Sequence, residues 1–380
     1  MIYLDNAATT RTKPPQVIEA ITAAMSDFGG VGRGAHGASL DAGMAVYNVR
    51  RQLAELFNAP SPSRVAFTCN VTEALNMVVA GLLGAGDHAV TTAASHNSVL
   101  RPLYRAVDTK GSGLSIVPIG PDGSLDYDGF DRAFESNTRL AVVTHASNLT
   151  GDVYDVERMA CIAHSHGALL VLDTAQTAGL LPLDMARQGI DLLCFTGHKG
   201  LYGPQGTGGL CVAEGVEVPP FKEGGTGIHS YDRRQPTRMP ESLEAGTLNA
   251  HGIAGLGAGV AYLQARGIDT VYAETRALTE RFAAGVRAIP GVTIYGGGAS
   301  QTHCGIVALN IDGVDAGAVA DALSTEYDIA TRAGAHCAPL MHEALGTQDR
   351  GSVRFSFSHF NTFDEVDTAI SAVAALASEV

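Results

Sequence analysis

One lysine, Lys199, stands in the stretch Phe195-Thr196-Gly197-His198-Lys199-Gly200-Leu201-Tyr202-Gly203-Pro204-Gln205-Gly206-Thr207-Gly208-Gly209, just beyond the apolar run Leu192 to Phe195. A glycine-rich loop puts little bulk around it, and a lysine held still and partly desolvated favours its neutral amine. That is the form a Schiff-base lysine needs. Taken alone, the stretch is read more simply as a solvated loop. The case for chemistry therefore rests on what the rest of the chain brings to the same place.

Asp173 closes the apolar run Leu169 to Leu172. A carboxylate there is costly unless a cation pairs with it. The competing reading is a helix N-cap, a common role for Asp after a strand. Thr72 opens a helical stretch, where free N–H groups and the helix dipole favour an anion. Thr196 and His198 flank the lysine, and His96 offers a ring that can stack on a flat ligand or serve only structure. An amine for a carbonyl, a carboxylate for a pyridine nitrogen and donors for a phosphate are the parts that pyridoxal 5'-phosphate chemistry requires.

The elements that must position these residues are legible as short apolar runs. Val65–Thr68, Ala89–Thr91, Leu114–Val117, Leu140–Val143, Leu169–Leu172, Leu192–Phe195 and Gly209–Val212 read as buried strands, most of them separated by segments long enough for crossover helices. This predicts an α/β fold: a mainly parallel seven-stranded sheet covered on both faces. Ligands in such sheets bind outside the carboxyl ends of the strands. Those ends carry Thr68 to Thr72, Ser95-His96-Asn97, His145 to Asn148, Asp173 to Gln176 and Thr196 to Lys199. From about residue 249 strands and helices continue without steady alternation, which predicts a smaller α+β C-terminal domain. The expected division is an N-terminal segment 1–14 near the site, a large domain 15–248 and a small domain 249–380.

Composition narrows the classes. The 380 residues suggest about two domains. The net charge of −14, with no basic cluster, excludes nucleic acid or an anionic membrane as the expected partner. The amino-terminal residues lack the pattern of a signal peptide, and no apolar stretch approaches the ~20 residues of a membrane span. Cys69, Cys161, Cys194, Cys211, Cys304 and Cys337 form no C-x-x-C pair, so neither a metal knuckle nor a disulfide framework is suggested. Free thiols fit the cytoplasm.

With these residues in view the chain resembles the fold-type I, class V pyridoxal phosphate enzymes, and among them the cysteine desulfurases. The likeness runs from Tyr3-Leu4-Asp5-Asn6-Ala7-Ala8-Thr9-Thr10 to Val353-Arg354-Phe355-Ser356-Phe357-Ser358-His359-Phe360-Asn361-Thr362, through Thr196-Gly197-His198-Lys199 and Gly203-Pro204-x-Gly206. The resemblance implies that Lys199 carries the cofactor, His96 stacks on it and Asp173 meets its ring nitrogen. Gln176 and Asn148 would lie near its phenolic oxygen or the substrate, and Thr72, Thr196 and His198 would take its phosphate. Glu244-Ala245-Gly246-Thr247 matches a Gly-Thr pair that reaches the phosphate from a partner subunit, which implies a homodimer.

The segment Thr331-Arg332-Ala333-Gly334-Ala335-His336-Cys337-Ala338-Pro339 is similar to the short cysteine loop of group II, Suf-type desulfurases and selenocysteine lyases. It implies Cys337 as the thiolate that takes sulfur from L-cysteine as a persulfide, with His336 and Arg332 beside it, for sulfur transfer of the kind that serves iron–sulfur cluster assembly. Arg354 matches the arginine that grips the substrate carboxylate, a task suited to its planar fork. Arg33 and His36 lie in a glycine-rich loop and are further candidate ligand contacts. Cys69-Asn70-Val71-Thr72 departs from the Gly-Thr-Thr of many Suf-type members. The alternatives carried forward are a selenocysteine lyase or other C–S lyase, a non-catalytic sulfur-transfer scaffold, and a Cys337–His336 hydrolase. The last is disfavoured if that segment is extended, because adjacent side chains then point to opposite faces.

Overall fold

The computed structural model describes residues 1–32, 34–228, 230–297 and 302–379. In chain order the strands are β1 (Ile2–Tyr3), β2 (Val65–Thr68), β3 (His88–Thr92), β4 (Gly113–Val117), β5 (Thr138–Thr144), β6 (Leu169–Asp173), β7 (Leu192–Thr196) and β8 (Gly208–Val212). There follow β9 (Val292–Tyr295), β10 (Ile306–Ile311), β11 (Ile329–Ala330), β12 (Arg332–Gly334) and β13 (Ser352–Ser356). The helices are α1 (Pro15–Asp27), α2 (Gly37–Phe57), α3 (Val71–Leu82), α4 (Asn97–Lys110), α5 (Tyr127–Arg132), α6 (Val156–Ser165) and α7 (Met185–Gln188). Beyond them lie α8 (Ala250–Arg266), α9 (Ile268–Arg287), α10 (Ala316–Tyr327), α11 (Pro339–Ala344) and α12 (Phe363–Ser378).

The large sheet has seven strands in the order β2-β8-β7-β6-β5-β3-β4. Strands β4, β3, β5, β6 and β7 pair in parallel, whereas β8 is antiparallel to both β7 and β2. The reversal follows from the connection: β7 and β8 are joined by the lysine loop, which contains no crossover helix and can link only antiparallel neighbours. Alternation along each strand divides the core. Leu170, Leu172, Leu193 and Phe195 face α2, α6 and α8, while Val171, Leu192 and Cys194 face α3 and α4. Both faces are covered at the centre of the sheet, so β6 and β7 are apolar up to their last residues, Asp173 and Thr196.

A four-stranded antiparallel sheet, β12-β13-β10-β9, packs its own core against α9, α10 and α12 through Leu278, Phe282, Leu323, Phe355, Val366 and Val373. The short parallel pair β1–β11 brings the amino-terminal residues to this unit, and Leu4 enters its core. Helix α8, assigned from the sequence to the carboxyl-terminal domain, places Ile253, Leu256, Val260 and Leu263 in the core of the large sheet. Its glycines allow the approach, since a Cβ on Gly259 would stand 2.3 Å from the carbonyl oxygen of Leu201, inside the lysine loop. Among the described residues no helix is long and apolar enough to cross a membrane.

Gly259→Ala separates two effects. Helix propensity alone favours alanine by about 1 kcal/mol, whereas the clash with the Leu201 backbone predicts a net loss of roughly 1–3 kcal/mol. Urea unfolding measures the balance, and a stabilised variant would contradict this packing.

Candidate active site

The carboxyl edge of the large sheet gathers the candidates. One cavity of about 300 Å³ is lined by Thr72, His96, Asn148, Asp173, Gln176, Thr196, His198, Lys199, Arg332 and Arg354. Thr72 stands in the first turn of α3, after β2, and His96 caps α4, after β3. Asn148 follows β5, Asp173 ends β6, and Thr196 ends β7 just before Lys199. Arg332 and Arg354 come from the smaller sheet, directly opposite one another in the β12–β13 register.

The lysine loop is stitched to the amino-terminal segment. The carbonyl of His198 accepts from Lys13 Nζ (2.8 Å), Thr10 N (3.2 Å) and Thr9 Oγ1 (3.3 Å), and that of Lys199 accepts from Thr10 Oγ1 (3.0 Å) and Tyr202 N (2.9 Å). Gly200 is required here, because a Cβ would lie 2.5 Å from the carbonyl of Ala178. Burial of the amine, and then the Arg354 guanidinium, pull the Lys199 pKa down to about 8, with Asp173 opposing. The amine is therefore readily freed of its proton.

Asp173 is buried, and burial raises its pKa, while the amide of Ala175 (2.9 Å to Oδ1) and Lys199 act the other way. The helix-cap alternative does not hold: the next helix is α7, and its cap is Asp184. At the start of α3, Asn70 caps the helix by accepting from Glu73 N, and Glu73 accepts in turn from Cys69 N (2.6 Å). The departure at Cys69-Asn70-Val71-Thr72 thus builds a reciprocal cap, and Asn70, Val71 and Thr72 line the cavity at the helix's positive end. Ser98, which the sequence did not single out, joins two candidates: its Oγ lies 2.8 Å from Thr72 Oγ1 and 2.9 Å from His96 Nδ1. Its amide also donates to His96 Nδ1 (3.0 Å), so a neutral His96 carries its proton on Nε2. Burial, then Lys199, lower the His96 pKa to about 4.

Arg354 is almost wholly buried. Its NH1 donates to the carbonyl of Asn148 (2.9 Å) and its NH2 to Asp5 Oδ1 (2.9 Å). The neighbouring cysteine segment is not extended. His336 and Cys337 are both left-handed, at φ of 51° and 56°. The turn is held by Asn148 Nδ2 donating to the His336 carbonyl (2.7 Å) and by Asn97 N donating to that of Cys337 (2.9 Å). The extended geometry used to separate the His336 and Cys337 side chains is therefore absent. Burial, then Arg354, lower the His336 pKa to about 3, so His336 is neutral and supplies no positive charge to Cys337.

Three candidates lie off the cavity. His336 lines it while the half-buried Cys337 stands one residue beyond. Thr247 borders a separate cavity of about 610 Å³ beside Glu244, whose carboxylate pairs with Arg50. His36 is exposed at the amino end of α2, with Gly29 and Gly34 against its ring. Arg33 falls outside the described residues. Cys194 and Cys211 are buried in β7 and β8, as expected of core thiols, and burial pushes Cys304 up to about 12.

The residues present fit pyridoxal phosphate. Thr196 Oγ1, Asn148 Oδ1 and Arg354 Nε are buried polar atoms of the cavity with no hydrogen-bond partner among the described residues. A buried carboxylate stands where a cationic ring nitrogen would offset its burial. This combination of fold and site defines a fold-type I pyridoxal phosphate enzyme. The chain belongs to the aminotransferase class-V family, whose model matches residues 2–368. It is 36% identical over 372 residues to a probable cysteine desulfurase of Methanothermobacter thermautotrophicus, covering 96% of this chain and 92% of the relative. A cysteine desulfurase of Escherichia coli O157:H7 is 33% identical, with 97% and 92% covered. Among solved structures, the apo cysteine desulfurase of Thermococcus onnurineus NA1 superposes with a TM-score of 0.94 at 33% identity, covering 100% of this chain and 95% of that one.

The lowered Lys199 pKa sets a pH dependence. Cofactor attachment needs the neutral amine, so the rate of reconstitution of the cofactor-free protein rises with pH and levels off above about 8. Stopped-flow absorbance follows it, and a rate still climbing beyond pH 10 would mean an ordinary lysine.

Proposed function

We propose that this protein is a pyridoxal phosphate-dependent cysteine desulfurase that converts L-cysteine to L-alanine and retains the sulfur as a persulfide on Cys337. The observation that carries the reading is the convergence of Lys199, Asp173 and Arg354 on one cavity that adjoins the pinned Cys337 turn. The bound cofactor supplies an electron sink conjugated to the substrate's α-carbon. Asp173 would hold the positive charge on its ring nitrogen, and Thr72, Thr196 and His198 would hold its phosphate with the amino end of α3. His96 would pack on the ring, and Gln176 and Asn148 would serve its phenolic oxygen. Arg354 grips the substrate carboxylate, with Arg332 opposite.

Lys199 Nζ moves the proton at the substrate's α-carbon. The Cys337 thiolate attacks the substrate sulfur: an S–S bond forms, the C–S bond breaks, and the carbon left behind takes a proton to become alanine. L-cysteine and one enzyme thiol thus give L-alanine and one enzyme persulfide. Cys337 is half-buried and follows the cavity-lining His336, a position that would leave a persulfide within reach of a sulfur-acceptor protein. Thr247, remote from its own chain's cavity, reaches the phosphate of a second copy in a homodimer. The short cysteine loop favours the Suf-type subgroup, and the free thiols favour the cytoplasm. His36 remains a substrate contact only across such a dimer.

Cys337→Ala tests the thiolate role. Alanine formation from L-cysteine falls at least ~100-fold, while the visible cofactor spectrum is unchanged. Full turnover by the variant would sink the persulfide route and leave a direct C–S lyase.

A further inference from the structure

In the lysine loop, Tyr202 is the one left-handed residue that is not glycine, at φ of 56°. A bulky side chain holds that conformation only where its surroundings impose it. The Tyr202 amide donates to the Lys199 carbonyl (2.9 Å), so this residue closes the turn that begins at the lysine. Its ring is buried, and its hydroxyl lies 2.9 Å from His359 Nδ1, with Ser358 close to the same oxygen. His359 Nε2 lies 2.8 Å from the hydroxyl of Tyr262, on α8. One imidazole thus joins the lysine loop, helix α8 and the segment that follows β13.

His359 stands on a fixed support. Asn361 N donates to the Ser358 carbonyl (2.9 Å), and Ser358 N donates to Asn361 Oδ1 (2.9 Å). Asn361 Nδ2 donates to the Tyr3 carbonyl (3.1 Å) and to Glu365 Oε2 (2.9 Å), which ties the turn to the amino-terminal segment and to the cap of α12. Phe360 packs on His359 at 4.0 Å between ring centroids and meets Tyr202 edge-on at 5.5 Å. A short way upstream the same chain carries Arg354, in β13.

Burial, then Arg266, lower the His359 pKa to about 4, with Glu274 opposing, so the imidazole is neutral. A neutral imidazole has one donor and one acceptor nitrogen, and a phenol can meet either. Both nitrogens are therefore matched without a charge. We propose that His359 is a positioning residue: by holding the Tyr202 phenol it keeps the Lys199 turn where the amine is buried, in register with Arg354. This rests on the reading of Lys199 as the cofactor lysine. With Gly197, Gly200, Gly203 and Gly206, the loop's own backbone does not impose that shape. Without the His359 bond the turn relaxes, water reaches the amine, and the burial that lowers the Lys199 pKa is lost.

The test reads the Lys199 amine through the pH profile of cofactor uptake by the full-length, cofactor-free protein. His359→Phe keeps a ring and removes both hydrogen bonds. In that variant the pH at which the rate levels off rises by about one pH unit, a tenfold change in proton affinity. Tyr202→Phe raises it likewise, and the double variant raises it no further than the larger single change, because the two residues act through one bond. His359 does not titrate near pH 8, so a shift there reports the lysine. His359→Asn, whose amide reaches the position of Nδ1 but not that of Nε2, stays near the wild-type profile.

A role confined to packing would lower the melting temperature of His359→Phe and leave the profile levelling off near pH 8, which would overturn the proposal. Equal shifts in His359→Asn and His359→Phe would overturn it too, since the bond to Tyr202 is then not what matters. Tyr202→Phe provides an arm that does not depend on the His359 variants folding, and an unmoved profile there counts against the proposal. Lys199→Ala distinguishes the two levels of the argument. Cofactor uptake by that variant at the wild-type rate means the lysine reading itself is wrong. Lysine-dependent uptake together with an unmoved His359→Phe profile refutes the role of His359 alone.

Discussion

A carboxylate at the end of β6 and an amine just past the end of β7 are both buried and oppose each other's shift, and the remainder of the site is arranged about them. Burial raises the Asp173 pKa and lowers that of Lys199, and each group partly reverses the effect on the other. Neither position tolerates its charge in isolation, because a charge taken out of water must be matched by a partner. The sheet makes the match possible. Strands β6 and β7 are parallel neighbours with Asp173 opposite Cys194, so their carboxyl ends bring aspartate and lysine loop to one edge.

The loop cannot hold this geometry unaided. It contains Gly197, Gly200, Gly203 and Gly206, and its shape is imposed from outside by donors from the amino-terminal segment to the carbonyls of His198 and Lys199 and by the approach of α8 to Leu201. The same amino-terminal segment reaches the smaller sheet, where Asp5 meets Arg354 and β1 pairs with β11. A few residues of extended chain thereby tie the lysine to the arginine end of the cavity. The short polar run Asp5 to Thr10 bridges both halves of the site.

What could be read from the sequence was what depends on local pattern. The seven runs are the seven strands of the large sheet, since strands covered on both faces are mostly apolar, and polar residues at their carboxyl ends marked the edge where the cavity lies. Asp173 had two readings because an aspartate after a strand looks the same whether it caps a helix or faces a ligand. The structure removed the ambiguity by placing no helix there. Three features had no local signal. The ion pair of Asp5 with Arg354 joins the two ends of the chain. The two-residue strands β1 and β11 are too short to show a period. The left-handed turn at His336 and Cys337 is stabilised by Asn97 and Asn148 from distant loops, and neither residue type announces it. Ser98 carries no local signal either: its importance lies in bridging Thr72 and His96, which only the folded chain brings together.

The central claim is that Lys199, opposed by Asp173, is the residue that binds pyridoxal phosphate covalently. Borohydride reduction of the purified, cofactor-loaded protein, followed by peptide mass mapping, tests it directly. The account predicts one reduced adduct, on the peptide containing Lys199, and none in Lys199→Ala. An adduct on Lys13 or another lysine, or failure of the protein to take up the cofactor at all, would contradict it.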